Sequence, residues 1–101
     1  MIVTIDFNGP ILDLKGVQLP NSPSLCNFYA EELAKWPAGD AKKFYAWALT
    51  LEQCKPLVLS QADAQIFREW INASTSVIIL VKGQALKIID RAIEESERAQ
   101  Q

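Results

Sequence analysis

The chain has 101 residues, half of them hydrophobic and nine aromatic, with 10 basic and 12 acidic residues, no histidine and a formal charge of -2. These totals describe one folded domain, 1–101, and a domain this small gains from pairing with another chain. A near-balanced charge with no cluster of Lys and Arg argues against a general nucleic-acid binder. The absence of histidine excludes histidine metal sites and Ser–His or Cys–His nucleophiles.

In chain order, the β-branched run Ile2-Val3-Thr4-Ile5 precedes the turn signal Asn8-Gly9-Pro10. Ile11-Leu12-Asp13-Leu14, Lys15-Gly16 and Val17-Gln18-Leu19 then predict two or three short strands around glycine turns. An isolated hairpin is marginal in water, so the hairpin region 1–20 is expected to lie against helices. Ser22 and Pro23 predict a helix opening, a capping hydroxyl followed by proline at the first helical position. That helix has Leu25, Phe28 or Tyr29, and Leu33 as its apolar stripe, and Pro37-Ala38-Gly39 stops it. Asp40 caps a second helix, whose Phe44, Trp47, Ala48 and Leu51 share one face. Pro56 ends it.

Leu57-Val58-Leu59 crosses in extended form to a third helix. Ser60-Gln61-Ala62-Asp63 opens that helix as a capping box with Asp in place of Glu or Gln. Ile66, Phe67, Trp70 and Ile71 form its buried stripe. After the polar break Asn72 to Ser76, the last helix is expected from about Ser76 into the nineties. Its Ile78, Val81, Ala85, Ile88 and Ala92 alternate three and four apart, a seam able to pack along another helix. Val77, Leu80, Leu86, Ile89 and Ile93 widen the apolar surface. The polar tail 94–101 is expected to fray, and a Glu94–Arg98 pair would add only a few tenths of a kcal/mol. The expected fold is α+β, mainly α: four helices over 22–93 with an N-terminal β-hairpin.

Chemistry-bearing residues are sparse. Cys26 and Cys54 stand alone, without C-x-x-C spacing. They could form one disulfide, but a secreted scaffold normally carries more cysteines and a signal peptide, and Met1 to Asp6 has no signal character. The expectation is a cytoplasmic protein with two reduced, half-buried thiols. No run of about 18 apolar residues occurs, so no membrane span is expected. Asp6 and Asp13 could face each other across the hairpin as a carboxylate pair. The plainer reading is two solvent-side strand residues without a pocket.

Gly83 costs about 1 kcal/mol relative to alanine inside a helix. It marks either a close helix crossing or a tolerated surface glycine. No glycine-rich loop offers a phosphate cradle, and no cofactor is expected. Asn72-Ala73-Ser74 matches the glycosylation triplet and reads as chance without a secretion signal. Trp47 and Trp70 fit core faces. Trp36, at a helix end, is a candidate contact anchor. Tyr29 and Tyr45 flank core positions and are expected to present hydroxyls to solvent.

Four segments carry a resemblance: Gly9 to Gly16 (GPILDLKG), Lys43 to Leu49 (KFYAWAL), Leu57 to Asp63 (LVLSQAD) and Ile79 to Leu86 (ILVKGQAL). Together they resemble small uncharacterised bacteriophage and prophage accessory proteins over most of the chain. The resemblance implies a virus-encoded accessory protein and carries over no catalytic residue. The expected function is therefore non-enzymatic, through protein–protein contact in the bacterial host cytoplasm, in an assembly or host-modulating role. The partner would be a viral or host protein or a second copy of the chain in a homo-oligomer, with no membrane and no small-molecule ligand. The apolar excess of the last helix supplies the candidate surface, Ile78, Val81, Gly83, Ala85, Ile88, Ile89 and Ile93, and Trp36 at the end of the first helix is a further candidate. The alternative is a small helix-turn-helix transcription regulator, Ser60 to Asn72 followed by Ser76 to Asp90. Against it, a recognition helix needs polar side chains in its first turns, where this chain has Val77-Ile78-Ile79-Leu80-Val81.

Overall fold

The computed structural model describes residues 2–36, 39–74 and 77–99. It is α+β and mainly α, as the sequence predicts: β1 (Ile2–Ile5), α1 (Leu25–Ala34), α2 (Ala41–Glu52), β2 (Leu57–Ser60), α3 (Gln61–Ala73) and α4 (Ile79–Ala99).

The sheet is a two-stranded antiparallel ladder of β1 and β2, pairing Ile2 with Ser60, Val3 with Leu59, Thr4 with Val58 and Ile5 with Leu57. The extended segment before α3 thus serves as the first strand's partner. Within residues 10–24 the pairing is limited to single bridges, Leu12 with Gln18 and Pro10 with Ser24. The physical reason lies in the period-2 pattern. Val3 and Ile5 point one way and meet Leu57 and Leu59, and all four are buried. Full burial of such side chains is worth roughly 1.5–3 kcal/mol each, which a solvated local hairpin cannot match. Phe7 continues the same alternation and is also buried.

The helix boundaries follow from their caps. α1 begins two residues later than Ser22 and Pro23 predict. Ser24 is its cap, its Oγ accepting from the Asn27 N–H at 3.4 Å. The bridge of Pro10 to Ser24 and the bond from Leu25 N–H to Gly9 O (2.9 Å) hold residue 24 extended, so the helix can start only beyond it. Asp40 caps α2 as expected, accepting from the Lys43 N–H at 3.1 Å. That helix stops before Pro56 has any say. Cys54 N–H donates to Leu51 O and Lys55 N–H to Thr50 O, with Cys54 in the left-handed region at φ 53°. This is a Schellman-type end built without glycine.

Ser60 caps α3, but only half of the expected box forms. Ser60 Oγ accepts from Asp63 N–H at 3.2 Å, while Asp63 Oδ1 instead takes Lys43 Nζ at 2.8 Å, tying α3 to α2. α4 starts at Ile79, later than predicted; Thr75 and Ser76 lie outside the described residues. It continues to Ala99, through residues 94–99 that the sequence suggests would fray. Ser96 Oγ donates to Ile2 O at 2.6 Å and fastens these last turns to β1. Arg68 of α3 pairs with Asp90 of α4 at 2.7 Å, whereas Glu94 and Arg98 form no ion pair.

An aromatic network occupies the centre. Phe67 stands 5.8 Å from Phe7, 5.5 Å from Trp47 and 5.8 Å from Trp70 between ring centroids. Trp47 and Trp70 are core residues, as predicted. Of the alternatives Phe28 and Tyr29, Tyr29 takes the stripe position of α1, fully buried against Phe7 and Trp70, so its hydroxyl does not face solvent as expected. On α3 the expectation reverses, Ile66 being exposed while Ala64 takes the inward position. Tyr45 does face solvent.

Among the described residues, none partners the Tyr29 hydroxyl in a hydrogen bond. Burial, and next the charge of Glu32, push its pKa well above the ordinary tyrosine value. Because the folded state holds this proton more tightly, the contribution is full below the unfolded pKa of about 10. As pH rises beyond that value the unfolded chain releases the proton first, and stability falls by up to about 1.4 kcal/mol per pH unit. Urea midpoints measured from pH 8 to pH 11 are expected to show this decline, and Tyr29→Phe is expected to flatten it. An unchanged slope in the variant would assign the decline to other groups.

Candidate functional surface

α3 and α4 position the surface that the sequence singled out, and the structure divides it. Val81, Ala85, Ile89 and Ile93 form the inward face of α4 and are buried in this chain's own core. Their expected availability to a partner is therefore corrected. The seam is spent internally because β1 and α3 already lie along it: Ser96 bonds β1, and Asp90 bonds Arg68 of α3. Ile88 and Trp36 are partly buried against the core, Trp36 edge-on to Trp70 at 5.8 Å.

What remains outward is the start of the helix. Ile78 is 64% exposed and Ile79 84% exposed. Ile78 O accepts the first helical bond, from Lys82 N–H at 3.1 Å. Lys82 Nζ reaches back to Asn72 O at 3.2 Å and ties this turn to the end of α3. Leu14 and Val17, on the tight loop after Leu12, are also exposed. Of the apolar surface that periodicity assigned to the whole helix, Ile78 and Ile79 are the large side chains left exposed.

Gly83 lies on the exposed side of α4, and a Cβ built there meets nothing within 4 Å. It is the surface glycine, not a crossing point. Gly83→Ala is expected to stabilise the domain by about 1 kcal/mol through helix propensity alone. Chemical denaturation would read this directly, and a destabilised variant would point to a contact at this face.

The two aspartates serve separate turns. Asp6 Oδ1 accepts from Asn8 N–H at 2.9 Å, and Asp13 Oδ1 accepts from Lys15 N–H at 2.8 Å and Val17 N–H at 2.9 Å. Such side-chain-to-backbone bonds are what short acidic residues do in turns. Asp6 does line an open groove between β1 and α4, beside Lys87, Arg91 and Glu95 and above Ile88 and Ala92. Its rim carries both signs of charge. Gln84 closes one end, its Nε2 donating to Pro10 O at 3.3 Å and its Oε1 accepting from Leu12 N–H at 3.2 Å. Among the described residues no group of three or more Cys, Asp or Glu is placed to hold a metal ion. No described helix is long and apolar enough to cross a membrane.

Cys26 and Cys54 are joined as a disulfide, with their Cα atoms 5.4 Å apart, which corrects the expectation of two reduced thiols. Cys26 sits in the first turn of α1 and Cys54 just beyond the last turn of α2. The two helices pack as an antiparallel hairpin, so these positions meet; Asn27 Nδ2 donates across the same end to Glu52 O at 3.3 Å. The spacing of 28 residues, spanning two helices and a turn, is the signal that could have suggested the pairing.

Comparison of the chain with protein-family models, with curated proteins and with solved structures finds no match. The class that stands is a small α+β domain, mainly α, with a two-stranded sheet and a disulfide-closed helical hairpin.

Proposed function

We propose that this chain is a non-enzymatic phage or prophage accessory protein that works by protein–protein contact in the cytoplasm of a bacterial host. Its partner is a viral or host protein or a second copy of itself. The observation that carries this reading is the pair Ile78 and Ile79, adjacent and both exposed where α4 begins. Exposed apolar side chains scattered singly need no explanation, but two large adjacent ones at a helix start, fixed by Lys82, form a rigid anchor of the kind interfaces use. The resemblance of its core and cap segments to phage and prophage proteins supplies the biological setting.

The helix-turn-helix reading ranks second. Base readout calls for polar side chains in the first turns of the second helix, and α4 opens with Ile79-Leu80-Val81. A pull-down from infected or lysogenic lysate, paired with sedimentation of the purified chain, tests the proposal. The wild type is expected to self-associate or to enrich a defined partner, and Ile78→Lys with Ile79→Lys is expected to weaken that association at least about tenfold, as loss of a central apolar anchor does. A monomer that captures nothing would end this reading. Retardation of DNA at low salt would promote the alternative.

A further inference from the structure

The two sulfurs of the Cys26–Cys54 bond stand in different surroundings. Cys26 is the second residue of α1 and is 1% exposed, while Cys54 is half-buried beyond the end of α2. An incoming thiolate must reach one sulfur in line with the S–S bond, and of the two residues Cys54 is the one that keeps appreciable exposure. The electron pair of the breaking bond then goes to Cys26. A thiolate formed there lies in the first turn of a ten-residue helix, where unpaired N–H groups and the helix dipole favour negative charge. A lower leaving-group pKa makes thiol–disulfide exchange faster.

A polar partner for the Cys26 thiolate is already in place. Ser24 Oγ is 3.0 Å from Cys26 Sγ, and its proton, now given to Asn27 Oδ1 at 2.7 Å, can turn to a Cys26 thiolate. Asn27 Oδ1, which takes the Ser24 proton at present, is 3.5 Å from Cys54 Sγ and 4.0 Å from Cys26 Sγ. Ser24 Oγ, the cap of α1, lies nearer the buried Cys26 sulfur than the Cys54 sulfur, 3.0 Å against 3.8 Å.

We propose that Cys54 is a thiol-exchange site for low-molecular-weight thiols. The attacking RS⁻ forms a new S–S bond to Cys54 Sγ as the Cys26–Cys54 bond breaks, leaving Cys26 as the thiolate. RS is oxidised to the disulfide level and Cys26 is reduced, so electrons balance. In the reverse step Cys26 attacks Cys54 Sγ, expels RS⁻ and restores the bond. This assignment is independent of the proposed partner surface, which lies on α4.

The test treats the folded, oxidised chain with excess reduced glutathione at pH 8, then quenches with acid, alkylates free thiols and maps peptides by mass. Glutathione is expected on Cys54 and the alkyl group on Cys26, by at least tenfold over the reverse. Adducts on Cys26, or equal labelling of both, would overturn the assignment, as would reaction only after unfolding in urea. Ser24→Asp keeps a helix cap while replacing the hydroxyl donor with a negative charge. Exchange in this variant is expected to slow at least tenfold with the fold intact by circular dichroism, and an unchanged rate would remove Ser24 from the mechanism.

Discussion

Phe67→Ala is expected to cost about 3–5 kcal/mol, the usual range for emptying a fully buried phenylalanine site. Phe67 is completely buried and touches rings from the first strand region, α2 and its own helix, namely Phe7, Trp47 and Trp70. No small shift of one element can close a space bounded by three aromatic rings on different segments. Against a total of roughly 5–15 kcal/mol for an ordinary domain, such a loss consumes much of the margin. Urea denaturation followed by tryptophan fluorescence would measure it, since Trp47 and Trp70 flank the site. Phe67→Leu, which keeps most of the volume, is expected to be clearly milder. A loss below about 1 kcal/mol in the alanine variant would mean that the core repacks around the hole, contrary to the geometry described.

Replacing both cysteines with alanine is expected to remove about 3–4 kcal/mol, from the chain entropy that a bridge across 28 positions withholds from the unfolded state. The loss has a local face as well. Cys54 holds a left-handed backbone at the end of α2, where glycine is the usual occupant, and Cys26 is packed in the core. With the bond gone, α1 keeps its Ser24 cap but loses its covalent tie to α2. Amide exchange is therefore expected to speed up first in the opening turn of α1 and the closing turn of α2. Comparing reduced wild type with the double variant separates the bond from the packing of the sulfur atoms. Equal stability of oxidised and reduced wild type would show that the bridge constrains nothing.

Local signals read well where the chemistry is local. Asp40 and Ser60 announce helix starts by side chains that reach only three residues onward, and both caps form. The aromatic stripe of α2 and the inward tryptophans follow from helical periodicity alone. Most of the misreadings are decided by distant partners. Ser22 and Pro23 make a plausible helix start until Gly9 and Pro10 claim residues 24 and 25. Leu57-Val58-Leu59 reads as a crossing until β1 lies beside it. The widened apolar surface of α4 was legible, but its use was not. Periodicity cannot say whether β1 and α3 will cover a face, and here they cover all but the first turn. The cysteine pair needed the helical hairpin to be closed before its two ends could be seen to meet. Phe7, which the sequence reading passes over, is different, since its continuation of the Val3–Ile5 alternation is visible in the residues themselves.

The ladder of β1 and β2 joins residues 2–5 to residues 57–60, and Ser96 adds a bond back to Ile2. A domain whose content is mostly helix would ordinarily assemble fast, from contacts close in sequence. This one cannot finish that way. Val3 and Ile5 have no strand to join until two helices have been laid down behind them and Leu57 and Leu59 are in reach, and closing that long loop costs entropy before it returns any burial. On a ribosome, the earliest-made strand of the domain waits, apolar and unpaired, for more than half of the domain to emerge. The sheet, the smallest part of the architecture, is in this sense the step that sets the order of assembly.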